Sequence, residues 1–157
     1  MYGGVSCKGE YEKNCIFAQR YRIVEMRSEK IFDPLRKKEV PATPEEIVRQ
    51  GVIQWLHSQK NIPYPMMISE CSFTYNKRVY RADVLVRAKD LSPLLLVECK
   101  APHIKIDKNV IEQGIRYNRA LNLKYLMFTN GKCTYFCERV GDGVEYRFLD
   151  EIPEILL

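Results

Sequence analysis

Apolar residues recur along this chain with three different spacings, and each spacing marks a different kind of element. From Pro44 onward, Val48, Val52, Trp55 and Leu56 fall three to four positions apart, the spacing of a helix with one buried stripe. Its start is written in Thr43-Pro44-Glu45-Glu46: Thr43 as N-cap, Pro44 at the first helical position, Glu46 at N3 of a capping box. The helix is expected to run to about His57, ahead of the breaker Asn61-Ile62-Pro63-Tyr64-Pro65. Met67 to Tyr75 and Val79 to Arg87 read as strands joined by a turn at Asn76-Lys77. Pro93 to Lys100 differs from both. Its Leu94-Leu95-Leu96-Val97 core is apolar on both faces, which places it centrally in a sheet covered by helices on two sides.

Asp107 can cap a second helix from about Lys108 to Leu121, with Val110, Gly114 and Leu121 on its packed face. Leu123 to Thr129 and Lys132 to Arg139 follow as strands around Asn130-Gly131, a strong hairpin signal. Ahead of the first helix, Tyr21 to Met26 and Ile31 to Val40 read as two short strands pairing around a polar turn. Residues 1–20 carry little pattern and read as an N-terminal extension, with Met1 to Glu10 expected to be mobile. Residues 21–157 then form one domain. The order of helix, three strands, helix, two strands predicts an α/β fold, a central mixed β-sheet flanked by helices.

Composition narrows the class. A chain of 157 residues suits one domain that buries roughly two thirds of its unfolded surface. Lys and Arg number 25 against 20 Asp and Glu, and the formal charge of +5 suits a polyanionic partner without establishing one. The six cysteines, at 7, 15, 71, 99, 133 and 137, form no C-x-x-C pair, and only His57 and His103 are available to complete a zinc site. Cys71, Cys99 and Cys133 sit in strand-like apolar runs as small hydrophobes, and Cys133 and Cys137 share a strand face where core packing outweighs metal binding. No apolar stretch has the length of a membrane span, and the N-terminus lacks a signal-type apolar run. A reduced, cytoplasmic protein without a membrane partner is expected.

The candidate chemistry lies at Asp83 and at Glu98-Cys99-Lys100. Side chains alternate along a strand, so Glu98 and Lys100 share a face and Cys99 takes the other. Two carboxylates and an ammonium on one patch of a buried sheet are costly unless something compensates them. A divalent cation would offset the carboxylates, and a phosphodiester would offset the metal and the lysine. Gln113 and Tyr117, about one helical turn apart, can reach the same patch. The first helix offers Glu45 and Glu46. At about 100° per residue Glu45 lies with Val48, Val52 and Leu56 toward the sheet, whereas Glu46 points sideways and is accounted for by capping. Glu45 is therefore favoured as the extra acid, with Glu46 the alternative.

Plainer readings stand beside these. Glu98 and Lys100 can be a strand-end ion pair, Asp83 a partner of Arg81 or Arg87, and Gln113 and Tyr117 the border of a packed helix face. Lys105, Lys108, Arg116 and Arg119 can line a phosphate track, but such a scatter is more often a solvated face. His103 is suggestive by position alone.

The ordered set of motifs resembles the PD-(D/E)xK nuclease superfamily, and more narrowly the N-terminal nuclease domain of type I restriction enzyme R subunits. The matching stretches are Phe32-Asp33-Pro34-Leu35-Arg36-Lys37-Lys38, Thr43-Pro44-Glu45-Glu46-Ile47-Val48-Arg49-Gln50, Arg81-Ala82-Asp83, Val97-Glu98-Cys99-Lys100-Ala101-Pro102, Gln113-x-x-x-Tyr117-Asn118 and Thr129-Asn130-Gly131. The resemblance implies a restriction-endonuclease-like fold and hydrolysis of DNA. It implies Mg²⁺, with Mn²⁺ able to substitute, held by Asp83, Glu98 and the main-chain carbonyl of Cys99. Lys100 would orient the attacking water or stabilise the phosphorane, and Gln113 and Tyr117 would buttress the site and touch substrate.

The strand before Asp83 lacks the proline of the superfamily's name. The chain also contains no G-x-x-x-x-G-K-[ST] phosphate loop and has no room for a motor, so the resemblance extends to the nuclease domain only. So small a domain has little surface for reading bases, and a homodimer or a partner subunit is expected to supply specificity. The competing expectation is a non-catalytic nucleic-acid-binding or assembly module on the same fold. Carbohydrate hydrolysis by two carboxylates is disfavoured by the adjacent lysine and the scarcity of nearby aromatics.

Overall fold

The computed structural model describes residues 29–75, 77–119, 121–143 and 145–154. The expected N-terminal extension and the strand expected over Tyr21 to Met26 lie outside the described residues. Strands β1 (Lys30–Asp33) and β2 (Lys38–Pro41) precede helix α1 (Pro44–Gln59). A single 3₁₀ turn at Tyr64–Met66 leads into β3 (Met67–Tyr75), β4 (Arg78–Arg87) and β5 (Pro93–Cys99). Helix α2 (Lys108–Asn118), β6 (Tyr125–Thr129), β7 (Thr134–Arg139) and β8 (Tyr146–Leu149) complete the order.

β3 to β8 form one sheet in sequence order, antiparallel throughout except for the parallel pair β5–β6. A parallel pair cannot be closed by a tight turn, and α2 supplies the crossover. The sheet is mixed, and β5 lies inside it as its composition requires. Leu95, Val97 and Cys99 pack on the α1 side with Val48, Val52, Ile53 and Leu56. Leu96 faces the α2 side with Ile111, Leu126 and Phe128. One strand thus serves two cores, which is why it shows no polar alternation until Glu98.

Gly114 lets α2 sit down on the sheet. A Cβ added there would lie 2.2 Å from Phe128 Cε1, and Phe128 is fully buried. The α1 start forms half of its expected capping box: Thr43 Oγ1 accepts the Glu46 N–H at 3.1 Å, while the Glu46 carboxylate turns to arginines instead.

Three element readings need correction. Ile31 to Val40 is not one strand but the β1–β2 hairpin, with Ile31 opposite Val40. Asp33 Oδ1 accepts the N–H groups of Leu35 and Arg36, and Lys37 takes a left-handed φ of 52°, so the chain reverses between them. The Asn130-Gly131 hairpin has a four-residue loop rather than a two-residue one. Asn130 Oδ1 accepts from the N–H groups of Lys132 and Cys133, Gly131 has φ 83°, and Thr129 pairs with Thr134. Cys133 accordingly sits in the turn and not on a strand face with Cys137. Finally, β8 was not foreseen, because its four residues at the sheet edge carry little apolar pattern.

Candidate active site

The sheet is deliberately irregular where Asp83 lies. Pairing of β3 with β4 passes from Ser69 opposite Val84 to Cys71 opposite Ala82, skipping Glu70 and Asp83. Glu70 has a left-handed φ of 50°. Val84 packs into the α1-side core and Ala82 into the α2-side core, although residues two apart in a regular strand share a face. The alternation therefore breaks at Asp83. β4 and β5 also part here: their register ends at Val84 opposite Val97. The Cys99 N–H donates instead to Asp83 Oδ2 at 2.6 Å, while Lys100 N donates to Thr129 O at 2.8 Å on the β6 side. The Asp83 carboxylate fills the gap between two diverging strands.

Glu98 and Lys100 leave β5 on one face, as alternation requires, and Lys100 Nζ donates to Glu98 Oε1 at 2.8 Å. Both are half-buried. Burial pushes the Glu98 carboxyl above its ordinary value, the Asp83 carboxylate pushes it further, and Lys100 opposes them. Burial works against the Lys100 ammonium, yet its bond to Glu98 and the charges of Glu98, Asp83 and Glu45 hold it above its ordinary value. Lys100 is thus a firm cation at neutral pH. Together with Gln113 and Tyr117 on α2, and Tyr80 and Arg81 on β4, the pair lines a cleft of about 340 Å³. Asp83 does not line that cleft. It joins the group through the charge it places on Glu98 and Lys100.

The two first-turn glutamates have separate surroundings. Glu46 is buried, with its carboxylate bound by Arg36 Nη2 at 2.6 Å, by Arg49 Nη1 and by Gln50 Nε2 at 2.8 Å. Glu45 lies half-exposed at the helix start, 3.5 Å from Arg49 Nη2, and its charge reaches Glu98, Cys99 and Lys100.

Asp83 pairs with neither Arg81 nor Arg87. Arg81 reaches Glu70 at 3.2 Å, and Arg87 donates to the Pro65 carbonyl. The partner is Arg49, whose Nη2 donates to Asp83 Oδ1 at 2.8 Å. Arg49 and Arg36 together bind Asp33, Glu46, Glu70 and Asp83 into one network under the kink, with Ser69 Oγ also donating to Asp33. Sequence reasoning gave no role to Arg36, Arg49, Glu70 or Tyr80. Arg36 and Arg49 stand inside stretches quoted for the family likeness, so the signal was present without a partner to interpret it. Glu70 lies in a strand whose left-handed residue no pattern announces.

Asp83 and Glu98 offer hard oxygen donors that repel each other, an arrangement a divalent cation would relieve. Among the described residues no three or more His, Cys, Asp and Glu side chains gather as a metal site. Two carboxylates with water and substrate oxygens are nevertheless the usual donor set for Mg²⁺, so the donor chemistry fits that ion. Cys99 itself has a fully buried thiol, pushed well up by burial and by the Asp83 charge, so any contribution from it falls to its main chain. Among the described residues no helix is long and apolar enough to cross a membrane.

A fragment structure assigned to the HsdR subunit of a type I restriction enzyme from Vibrio vulnificus YJ016 aligns with 80% of this chain and 24% of its own, at 18% identity and a TM-score of 0.49. This chain spans about a quarter of that structure's length. Nothing among the curated proteins matches. Residues 44–153 match the family described as type I restriction enzyme R protein N terminus (HSDR_N), a span that runs from the first residue of α1 past β8. The chain belongs to the family of type I restriction enzyme R protein N-terminal domains.

Proposed function

We propose that this chain is an endonuclease-like domain that hydrolyses DNA phosphodiester bonds with a divalent cation, Mg²⁺ or Mn²⁺. One observation carries the reading: where β4 and β5 part, the Asp83 carboxylate accepts the Cys99 N–H and its charge bears on Glu98 and Lys100, which line an open cleft. Asp83 and Glu98, with the Cys99 carbonyl, are the groups to hold the cation. When bound, it would lower the pKa of water and polarise a phosphoryl oxygen. Lys100 remains protonated, so its part is to neutralise charge that develops on the phosphoryl group, not to abstract a proton. Gln113 and Tyr117 line the same cleft, where they would touch the DNA strand. Glu45 is the helix acid of the site, because Glu46 is committed to Arg36, Arg49 and Gln50.

A specific observation favours the second reading, a non-catalytic nucleic-acid-binding or assembly module. Both Asp83 oxygens already have donors, Arg49 and Cys99 N–H, and Glu98 has Lys100. A site so fully paired is stable without a metal. The discriminating experiment incubates the purified chain with plasmid, linear duplex and single-stranded DNA in Mg²⁺, Mn²⁺ or EDTA. The nuclease reading expects metal-dependent cutting that Asp83→Ala and Glu98→Ala abolish. No cutting under any metal, with Asp83→Ala changing neither metal affinity nor DNA binding, leaves the assembly module. In either case a partner subunit or a second copy would supply sequence specificity.

A further inference from the structure

The cleft beside Glu98 and Lys100 has features that hydrolysis alone does not use. Asn118 lines it and is 3% exposed. Its Nδ2 donates to the Gly114 carbonyl at 2.8 Å, which orients the amide. Among the described residues the buried Oδ1 has no hydrogen-bond partner. Buried acceptors are nearly always satisfied, so this one marks a place for a donor from outside the chain. The cleft is also lined by exposed apolar groups: Val79 is 71% exposed and Tyr117 52%. Tyr80 meets Tyr117 nearly at right angles, centroids 5.7 Å apart, which fixes the Tyr117 ring while most of that residue stays open to solvent.

We infer that this cleft receives one unpaired nucleobase of the DNA strand next to the phosphate to be cut, rather than the side of an intact duplex. The base would lie against the Tyr117 ring, and an N–H on its edge would donate to Asn118 Oδ1. Gln113 contributes an amide on the same wall, and Arg81 a guanidinium for a neighbouring phosphate. A cleft of about 340 Å³ has the size of pockets that take one small molecule. It has no room for a duplex, whose major groove alone is about 12 Å wide. Stacking on an aromatic ring needs only the π-face that every base has, so the subsite tolerates sequence. The inference rests on the nuclease reading, which places the phosphate at Glu98 and Lys100.

The test measures affinity in EDTA, where nothing is cut. The probes are a fluorescein-labelled single-stranded oligodeoxynucleotide, the same strand carrying a run of abasic sites, and the duplex. The base-bearing strand should bind about ten-fold more tightly than the abasic strand. Tyr117→Ala should bring the first down to the second without weakening the abasic strand, and Tyr117→Phe should restore the difference. Asn118→Leu, checked by thermal unfolding, should remove part of it. Equal affinity for the two strands overturns the inference. So does uniform weakening of both by Tyr117→Ala, or the absence of binding to either. Failure of the nuclease reading shows separately, as no metal-dependent cutting by the unaltered chain. A protein that cuts DNA yet ignores loss of bases refutes the cleft assignment alone.

Discussion

Arg49 Nη2 of helix α1 donates to Asp83 Oδ1 of strand β4 at 2.8 Å, and the same guanidinium reaches Glu46 and Glu70. It is nearly buried, and burial works against its charge, but Asp83 and Glu46 together hold the guanidinium above its ordinary value. One side chain therefore ties the helix start to the kink that holds the candidate acid. Arg49→Ala would leave four carboxylates, Glu45, Glu46, Glu70 and Asp83, short of a cation and should destabilise the chain by about 3–5 kcal/mol. Urea denaturation should show it as a lower midpoint at unchanged slope. Arg49→Lys should recover only part, since an ammonium cannot span the partners a planar fork reaches.

Gly114→Ala isolates the contact between α2 and the sheet. Better helix propensity would favour alanine by up to ~1 kcal/mol, but a methyl 2.2 Å from Phe128 Cε1 must move a buried ring. Overpacking of this kind costs about 1–3 kcal/mol, so a net loss of stability is expected. A double-mutant cycle with Phe128→Leu should show favourable coupling between the two changes.

How much of this was legible beforehand depended on distance along the chain. Both helices, β3 to β7 and the interior position of β5 follow from periods and caps that act within a few residues, and Glu98 and Lys100 share a face by strand alternation alone. Asp83 could be placed near them only through the family likeness. The feature that puts it there is a paired irregularity, Glu70 in a left-handed conformation and strands that stop pairing after Val84 and Val97, and it is held by Arg49 from 34 residues away. Strand alternation is silent about such a break.

The Glu98 carboxyl gives a pH test. Its folded-state value is raised above the ordinary 4.5 by burial and by Asp83, so the folded chain holds this proton more tightly than the unfolded chain does. Folding stability contributed by the group is thus fully present below 4.5 and declines as pH rises through the raised value. Glu98→Gln should remove that decline. Its melting temperature should match or fall below the parent's in acid and exceed it at neutral pH.

Lys100→Ala separates binding from turnover. Loss of a nearby cation should leave Mn²⁺ affinity, read by calorimetry, equal or slightly tighter, while cleavage falls about 10²–10³-fold. Equal losses in both would make Lys100 a structural partner of Glu98 and nothing more.

The central claim is that Asp83 and Glu98 share one divalent cation, and the most direct measurement is anomalous scattering from crystals soaked in Mn²⁺. A single peak between the two carboxylates, within reach of the Cys99 carbonyl and lost in Asp83→Ala, is the predicted result. Crystals that show no peak there, with the Arg49 bond to Asp83 and the Lys100 bond to Glu98 unchanged at saturating Mn²⁺, would contradict the account.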